Sequence, residues 1–399
     1  MTYTPEKQIG TGDIVISEHE KKYLAKVIES SRISYGPLSQ DFEARFAKHH
    51  ECKHALFCNS GTSALHMSLA VLKEKFNWKD GDEIIIPALT FISTCNVVLH
   101  TNLKPVFVDI EPDTYNMDPK KIEEKITDKT KCIIPVHLFG QPCDMDPIME
   151  IANKHKLQVI EDSCEAMFAK YKGKPVGSFG NISCFSTYIA HFLVTGVGGF
   201  CLTNDNDLAI MLRSYMNHGR DSIYLDMDAD TDKKGEELAS IVSRRFNFVR
   251  LGHSFRATEF EAAIGLGQLD IVDEIITKRK ANAAFFTEQL ASVANYLQLP
   301  ATKEDRDHGF MMYPIVVKQD SPKTKEQLVN FLEENKIETR DMVPLLNQPF
   351  IKERFGDIEK DFPVAENVRK NGFYFGCHHY LKDEEKQYIV DKIIEFFSE

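Results

Sequence analysis

The sequence contains no pair of cysteines spaced like those of zinc sites. Its nine cysteines are scattered between Cys52 and Cys377, and none belongs to a CxxC pair. Most of them lie in apolar runs, which is typical of buried free thiols. The adjacent His378 and His379 do not suggest a metal either, because neighbouring histidines cannot easily share one site and no acidic partner is suitably spaced. We therefore predict neither a metal site nor a disulfide framework.

The sequence also lacks long apolar runs and an excess of basic residues. No stretch is long enough to span a membrane, and residues 1–12 contain no apolar signal region. The 60 acidic residues outnumber the 48 lysines and arginines, which gives a net charge of −12. Nucleic-acid binders usually present a basic face, so this balance argues against one. We expect a cytoplasmic protein that binds neither membranes nor nucleic acids.

Short apolar segments alternate with amphipathic helical patterns through the first part of the chain. The segments 83–86, 104–109 and 132–137 have the length and composition of buried strands. This alternation predicts a mostly parallel sheet with helices on both faces. The ligands of such sheets bind beyond the carboxyl ends of the strands.

The pattern changes after residue 275, where a long helical pattern and shorter strand-like segments follow. A chain of 399 residues is long enough for one large and one smaller domain. We predict an α/β protein with a large domain over 1–273 and a small C-terminal α/β domain over 274–399. Residues 221–237 are rich in acidic and turn-forming residues, which indicates a solvated loop.

The segment from Gly180 to Asp205 reads GNISCFSTYIAHFLVTGVGGFCLTND. Two apolar runs flank an irregular stretch, which predicts a strand, a loop and a second strand. The segment resembles the cofactor loop of the sugar aminotransferase family named after DegT, DnrJ, EryC and StrS, whose members are pyridoxal phosphate enzymes of fold type I. In that family the pattern G-D-I-x-C-F-S-F-Y-P-x-K ends in the lysine that forms the Schiff base. His191 stands at the lysine position.

An imidazole cannot form that covalent bond, but it can transfer protons near neutral pH. The resemblance therefore implies a branch of the family, the 3-dehydratases of nucleotide-linked 4-keto-6-deoxy sugars, in which the cofactor has no covalent anchor. The spacing from His191 to Gly198 agrees with that branch, whereas Val197 stands where the branch commonly has glutamate. A degenerate site that keeps a core histidine is the alternative interpretation.

Further segments resemble the cofactor-binding motifs of the family. Gly61 and Thr62 begin a helical pattern after a short apolar run, and free N–H groups at a helix start favour a phosphate. The resemblance implies that these two residues and Ser186 bind the cofactor phosphate, and that Phe91 stacks on the cofactor ring. A capped helix start and a core phenylalanine are the ordinary alternatives.

The segment IEDSCEA contains two further candidates. The resemblance implies that Asp162 contacts the pyridine nitrogen and keeps it protonated, so that the ring can take up electrons. A strand-end acid that caps a turn is the alternative. Glu165 stands where many aminotransferases have glutamine, and an acid there changes the hydrogen bonding near the cofactor hydroxyl.

Two motifs concern the partner subunit and the substrate. Ser254 replaces an asparagine with which family members reach the cofactor phosphate of the partner subunit, and its hydroxyl can still donate one hydrogen bond. The resemblance implies a homodimer with active sites at the interface. Arg340 lies in a segment that resembles the substrate side of the family, and a guanidinium suits a nucleotide diphosphate. A surface salt bridge is the alternative.

The resemblance covers nearly the whole chain and implies the PLP-dependent transferase fold type I, with a sheet of the seven-stranded type. It implies a 3-dehydratase of a nucleotide-linked 4-keto-6-deoxyhexose in deoxysugar or surface polysaccharide biosynthesis. The expected cofactor is pyridoxal 5′-phosphate or pyridoxamine 5′-phosphate, with L-glutamate as amine donor and His191 as proton-transfer base. An iron–sulfur cluster, present in some dehydratases of this branch, is not expected because the cysteines are scattered. A histidine-type relative with other keto- or amino-sugar chemistry and a cofactor-binding pseudoenzyme are the alternatives.

Overall fold

A computed structural model describes residues 3–221, 232–244 and 246–398. In chain order, its first part contains α1 (Glu18–Ser30), α2 (Pro37–His49), β1 (His54–Cys58), α3 (Gly61–Lys75), β2 (Glu83–Pro87), α4 (Ile92–His100), β3 (Lys104–Val108), β4 (Thr130–Ile133), α5 (Met145–His155), β5 (Gln158–Asp162), β6 (Lys170–Tyr171), β7 (Lys174–Pro175), β8 (Ile182–Ser186), β9 (Gly199–Thr203) and α6 (Asn206–Met216). The second part contains α7 (Gly235–Arg244), α8 (Glu259–Leu269), α9 (Val272–Gln289), β10 (Leu297–Gln298), β11 (Arg306–Asp307), β12 (Met312–Val317), α10 (Lys325–Glu334), β13 (Thr339–Asp341), α11 (Pro349–Phe355), α12 (Pro363–Asn371), β14 (Gly372–Gly376) and α13 (Asp383–Ser398).

The large sheet has seven strands in the order β1-β9-β8-β5-β4-β2-β3. β9 is antiparallel to both of its neighbours, and the other adjacent pairs are parallel. Strand β2 shows how both faces are buried: Ile84 and Ile86 pack into one core, and Ile85 packs into another. Side chains alternate along a strand, so a strand covered on both faces is apolar throughout. The mostly parallel sheet predicted from the sequence is confirmed.

Two element boundaries differ from the prediction for identifiable reasons. The sequence pattern predicts a helix over residues 40–49, whereas α2 begins at Pro37, because Glu259 of α8 accepts hydrogen bonds from the N–H groups of Leu38, at 2.9 Å, and Ser39, at 2.8 Å. Strand β4 ends at residue 133, short of the predicted residue 137, because Pro135 has no N–H group to continue the ladder. The cause at α2 is a contact with a distant helix, which the local hydrophobic pattern does not show.

The small sheet has the order β10-β12-β14-β13 and forms a core of its own. Ile9 belongs to this core, and its N–H group donates to the carbonyl of Lys336 at 2.8 Å. The carbonyl of Ile9 accepts from the N–H group of Glu338 at 2.9 Å. The N-terminal segment, which the prediction assigned to the large domain, is therefore attached to the small sheet.

Helix α9 runs across the predicted domain boundary. Val272 and Ile275 pack into the core of the large sheet, whereas Ala283 and Phe286 pack into the core of the small sheet. One continuous helix thus joins the two cores, and the division at residue 273 stays a prediction.

The predicted acidic loop over 221–237 falls largely outside the described residues, which resume at residue 232. Its end is helical rather than irregular, because α7 begins at Gly235. Glu236 and Glu237 lie in the first turn of α7, where a negative charge suits the helix dipole. None of the helices in the described ranges is both long and apolar enough to cross a membrane.

Candidate active site

A cavity of about 750 Å³ lies between the large sheet and the small sheet. It lies beyond the carboxyl ends of the parallel strands β5 and β8, where ligands of open α/β sheets bind. Its walls include the start of α3, the start of α4, the loop after β8 and strand β13. The predicted site residues that line it are Gly61, Thr62, Phe91, Asp162, Glu165, Ser186, His191 and Arg340.

Asp162 ends strand β5 and is almost completely buried. Its Oδ2 accepts a hydrogen bond from Thr94 Oγ1 at 2.9 Å, and its Oδ1 accepts one from the N–H group of Cys164 at 3.3 Å. Burial raises the pKa of Asp162 above its usual value, although the hydrogen bonds from Cys164 and Thr94 oppose the rise. Each carboxylate oxygen can accept another hydrogen bond, so a cationic donor in the cavity would stabilise the charged form.

Glu161, the preceding residue, points away from the cavity. Its carboxylate accepts hydrogen bonds of 2.7 Å each from the N–H groups of Gly177, Phe179 and Gly180, and one of 3.3 Å from His137 Nε2. Burial alone would raise the pKa of Glu161, but these hydrogen bonds outweigh it and lower the pKa. The charged carboxylate holds the turn before β8, which helps to fix the start of that strand.

The start of α3 approaches the end of β8 very closely. A Cβ atom on Gly61 would lie 2.8 Å from both Cys164 Sγ and Ser186 Cβ, so a glycine is required there. Ser60 caps the helix by accepting from the N–H group of Ser63 at 3.0 Å, and Thr62 is exposed at the same end. The free N–H groups of this helix start and the hydroxyls of Thr62 and Ser186 together form a corner of hydrogen-bond donors that could hold an anion.

His191 lies in the loop between β8 and β9. Its Nδ1 is buried and has no hydrogen-bond partner among the described residues. Burial lowers the pKa of His191 to about 4, and the positive charge of Arg279 acts in the same direction. The imidazole is therefore neutral at pH 7 and able to accept a proton.

Several contacts fix the loop that carries His191. The side chain of Gln268 binds Val194 twice: its Oε1 accepts from the N–H group at 2.8 Å, and its Nε2 donates to the carbonyl at 2.6 Å. The hydroxyls of Thr187 and Thr195 are 2.5 Å apart. Gly198 has a φ of +148° and faces these hydroxyls, so a side chain there would be both strained and obstructed.

Glu165 and Phe91 both line the cavity. Burial raises the pKa of Glu165 to about 7. The N–H group of Phe139 donates to Glu165 at 2.8 Å and opposes this rise, whereas the charge of Asp162 adds to it. The carboxyl can therefore act as donor or acceptor near neutral pH. Phe91 is 58% exposed at the mouth of the cavity, where a ring can stack on a planar ligand.

The substrate side of the cavity contains an ion pair. The guanidinium of Arg340 donates to Glu338 Oε1, and Glu338 Oε2 accepts from the N–H group of Thr11 at 2.6 Å. Arg340 is 55% exposed in its side chain, and Glu338 is 18% exposed. Thr11 and Gly12 also line the cavity, so the N-terminal segment contributes to its wall.

Ser254 is the predicted site residue that does not line this cavity. It is exposed, and its hydroxyl accepts a hydrogen bond of 3.0 Å from Arg256 Nη2. Its predicted contact was with the cofactor of a partner subunit, so a position outside this cavity neither supports nor opposes the prediction.

Sequence reasoning assigned no role to Thr94, Glu161, Gln268 or Arg279. The first three lie inside or next to segments that resemble family motifs, but each binds a segment outside its own motif, so the sequence gives no signal for the contact. Arg279 lies in a helix without any such motif, and only the packing of α9 places it beside the His191 loop.

Residues 15–394 match the DegT/DnrJ/EryC1/StrS aminotransferase family. The chain belongs to this family. Among its relatives, the GDP-perosamine synthase of Caulobacter vibrioides is 34% identical over 94% of each chain. The chain described here also has the fold of a solved structure, a histidine-to-asparagine variant of GDP-4-keto-6-deoxymannose 3-dehydratase with bound GDP-perosamine. The TM-score is 0.87, and the identity is 28% over 97% of this chain and 100% of the other.

A third relative shows the cofactor. The E. coli GDP-4-keto-6-deoxy-D-mannose 3-dehydratase, solved with bound hydrated PLP, has a TM-score of 0.85 and 29% identity, covering 97% of this chain and 99% of the other. The cavity of the present chain fits PLP as well. Gly61 leaves room beside the donors of Thr62 and Ser186, and the carboxylate of Asp162 can accept a further hydrogen bond. The predicted fold type and the predicted cofactor, pyridoxal 5′-phosphate or pyridoxamine 5′-phosphate, are confirmed.

Proposed function

We propose that this enzyme is a 3-dehydratase of a nucleotide-linked 4-keto-6-deoxyhexose, with His191 as the proton-transfer base. One observation supports it above all: an imidazole stands in the cofactor loop, and no lysine among the described residues lines the cavity. Without a lysine amine at the cavity, the chain cannot anchor the cofactor covalently there. The neutral imidazole keeps the ability to move protons.

When bound, the cofactor supplies an amino group for the keto carbon and a ring that takes up electrons as the neighbouring hydroxyl leaves. Asp162 lies where its carboxylate can hold the ring nitrogen protonated. Gly61, Thr62 and Ser186 hold the phosphate, and Phe91 stacks on the ring. His191, unprotonated at neutral pH, takes up a proton and returns it.

Glu165 and Arg340 complete the assignment of the cavity. Glu165 hydrogen-bonds near the cofactor hydroxyl, and its pKa of about 7 allows it to donate or accept there. Arg340 binds the diphosphate of the nucleotide after leaving Glu338, since a phosphate offers the guanidinium two charged oxygens. L-Glutamate would serve as the amine donor for the cofactor. We place this reaction in deoxysugar or surface polysaccharide biosynthesis in the cytoplasm.

The active enzyme is a homodimer in this proposal, with Ser254 reaching the cofactor phosphate of the partner. Large apolar side chains close to Ser254 in the chain are exposed: Phe246 is 84% exposed and Leu251 is 87% exposed. Exposed apolar surface of this kind marks protein interfaces. Light scattering of the purified protein should give the mass of two chains, and a monomeric active enzyme would contradict this part of the proposal.

The test replaces His191 by asparagine and uses His155→Asn, on the exposed part of α5, as the control. Wild type and control should convert a GDP- or dTDP-linked 4-keto-6-deoxyhexose, in the presence of glutamate, to a product lacking one oxygen by mass spectrometry. His191→Asn should bind the cofactor, as judged by absorption, and give no product. Unchanged turnover by His191→Asn would contradict the role of His191.

A sugar aminotransferase is the second candidate, and the 34% identity with a GDP-perosamine synthase favours it. Its product would keep the hydroxyl oxygen and carry an amino group in place of the keto oxygen, so its mass would differ from that of the deoxygenated product. Borohydride reduction followed by intact mass separates the two candidates further: a reduced adduct on the chain would reveal an anchoring lysine and favour the aminotransferase. A pseudoenzyme would bind the cofactor and turn over no sugar.

A further inference from the structure

Arg279 is a buried cation on helix α9 that contacts the loop of His191. Its Nη2 donates to the carbonyl of His191 at 3.1 Å, and its Nη1 donates to the carbonyl of Met311 at 2.8 Å. The guanidinium also lies over the ring of Phe192, 4.8 Å from its centroid. Because Met311 lines the cavity from the other side, one guanidinium joins two walls of the active site.

Arg279 carries its charge without an ion-pair partner in the part of the chain that the structure describes. Arg279 is 2% exposed, and within the described ranges no acidic side chain forms an ion pair with it. Burial lowers the pKa of Arg279 to about 10, so it still carries its charge at pH 7. A buried charge is costly unless polar groups compensate it. Backbone carbonyls, one of them that of His191, provide the compensation here.

We propose that Arg279 is the positioning residue for His191: it fixes the backbone of the His191 loop against the segment containing Met311 and places a permanent positive charge beside the imidazole. The charge disfavours a second positive charge on the ring, so His191 stays in the form that accepts protons. The proposal deepens the proposed role of His191 and rests on it for its functional meaning.

Other groups around His191 do not replace this charge. Gln268 holds the loop at Val194, beyond His191 in the chain, and it is neutral. The charged and titratable groups that share the cavity or surround Arg279 are Asp162, Cys164, Glu165, Tyr188, Glu338, Arg340, Tyr374, Cys377, His378, His379 and Tyr380. Arg340 is the other permanent cation among them, and it is paired with Glu338.

The test measures His191 directly, in the full chain without cofactor or substrate. Diethyl pyrocarbonate modifies neutral imidazoles, and peptide mass spectrometry reports the rate at His191 alone. In the wild type this rate should be flat between about pH 7 and 5, because the pKa of His191 is about 4. In Arg279→Met the pKa should rise by roughly 1, so the rate at about pH 5 should fall to about half of its neutral value.

Hydrogen exchange of the peptide covering residues 187–196 measures the loop itself. Exchange should accelerate in Arg279→Met and in Arg279→Lys, since lysine lacks the forked donors that bind both carbonyls. Arg279→Lys keeps the charge, so its modification profile should stay flat. The control Lys280→Met removes a neighbouring charge that is paired with Asp307 at the surface, and it should change neither readout.

Flat modification profiles together with unchanged exchange in both Arg279 variants would overturn the proposal. If Arg279→Met fails to fold, Arg279→Lys decides alone: unchanged loop exchange overturns the proposal, and faster exchange with a flat profile supports it. Neither readout involves turnover. A failure of the dehydratase assignment would therefore leave these results standing, and a failure here would leave the sugar product unchanged.

Discussion

Thr94 Oγ1 donates a hydrogen bond of 2.9 Å to Oδ2 of Asp162, from the first turn of α4 to the end of β5. The hydroxyl of Thr90 lies 2.9 Å from that of Thr94. This chain of hydroxyls fixes the carboxylate that we propose as the partner of the ring nitrogen, and it leaves the second oxygen, Oδ1, with a longer contact of 3.3 Å.

Thr94→Val should therefore lower kcat by about tenfold, since a hydrogen bond to a charged group is worth about 1.5–3 kcal/mol. The shape of the side chain is kept, so the fold should not change. Steady-state kinetics with the nucleotide sugar measures the effect. The matched control is Thr101→Val in the same region, whose hydroxyl bonds to the backbone of α4. Equal kcat values for the two variants would show that Thr94 does not support Asp162.

Protonation of His191 should not lower the rate of turnover at any pH above about 5.5. The pKa of His191 is about 4, so the imidazole remains unprotonated through this range. A histidine with the ordinary pKa of about 6.5 would lose about tenfold in rate by pH 5.5. A pH profile of kcat measures the difference, with circular dichroism at each pH to confirm folding. A tenfold acid loss with an intact fold would contradict the burial of this imidazole.

Glu165 should make the cofactor-free protein less stable as the pH rises from about 5 to 8. Its pKa is about 7 in the folded protein against an ordinary value of 4.5, so the folded state holds a proton that the unfolded state releases in this window. Glu165→Gln should remove this dependence and raise the free energy of unfolding at pH 8 by about 1 kcal/mol. Urea unfolding at both pH values measures it.

The control for that experiment is Glu150→Gln, an exposed residue on α5. It should leave the pH dependence as in the wild type. A Glu165→Gln variant with the same pH dependence as the wild type would contradict the prediction, because the titration of Glu165 would then not cause the loss of stability.

Arg340→Gln should raise KM for the nucleotide sugar by about tenfold and change kcat little, because a charged contact to a diphosphate is lost away from the reacting carbon. Titration calorimetry with the free nucleoside diphosphate measures the same contact without turnover. Lys352→Gln removes a surface charge paired with Asp357 and serves as the control. An unchanged KM would indicate that Arg340 serves only its ion pair with Glu338.

Much of the site could be predicted because its residues lie in local patterns. Gly61 follows a strand and starts a helix, and Asp162 ends a strand. The neighbouring sequence therefore predicts the position of each residue in the fold. The large sheet could be predicted for the same reason, since buried parallel strands are short apolar runs.

The supporting contacts could not be predicted, because they join distant segments. Thr94 and Asp162 are 68 residues apart, and Arg279 and His191 are 88 residues apart. Periodicity describes how a segment meets the core and does not specify its polar partners. The attachment of Ile9 to the small sheet has the same origin: a single bridge at a sheet edge leaves no pattern in the sequence.

Glu161 and Asp162 are adjacent, yet one carboxylate holds a turn and the other faces the cofactor cavity. Successive side chains of a strand point in opposite directions, so the two acids cannot exchange their positions. The insertion or deletion of one residue within β5 would turn over the side chains on one side of the change. During divergence this strand can therefore accept changes of residue type but not of length, because a residue inserted between the two acids would turn one of them away from its face, and either the turn or the carboxylate in the cavity would be lost.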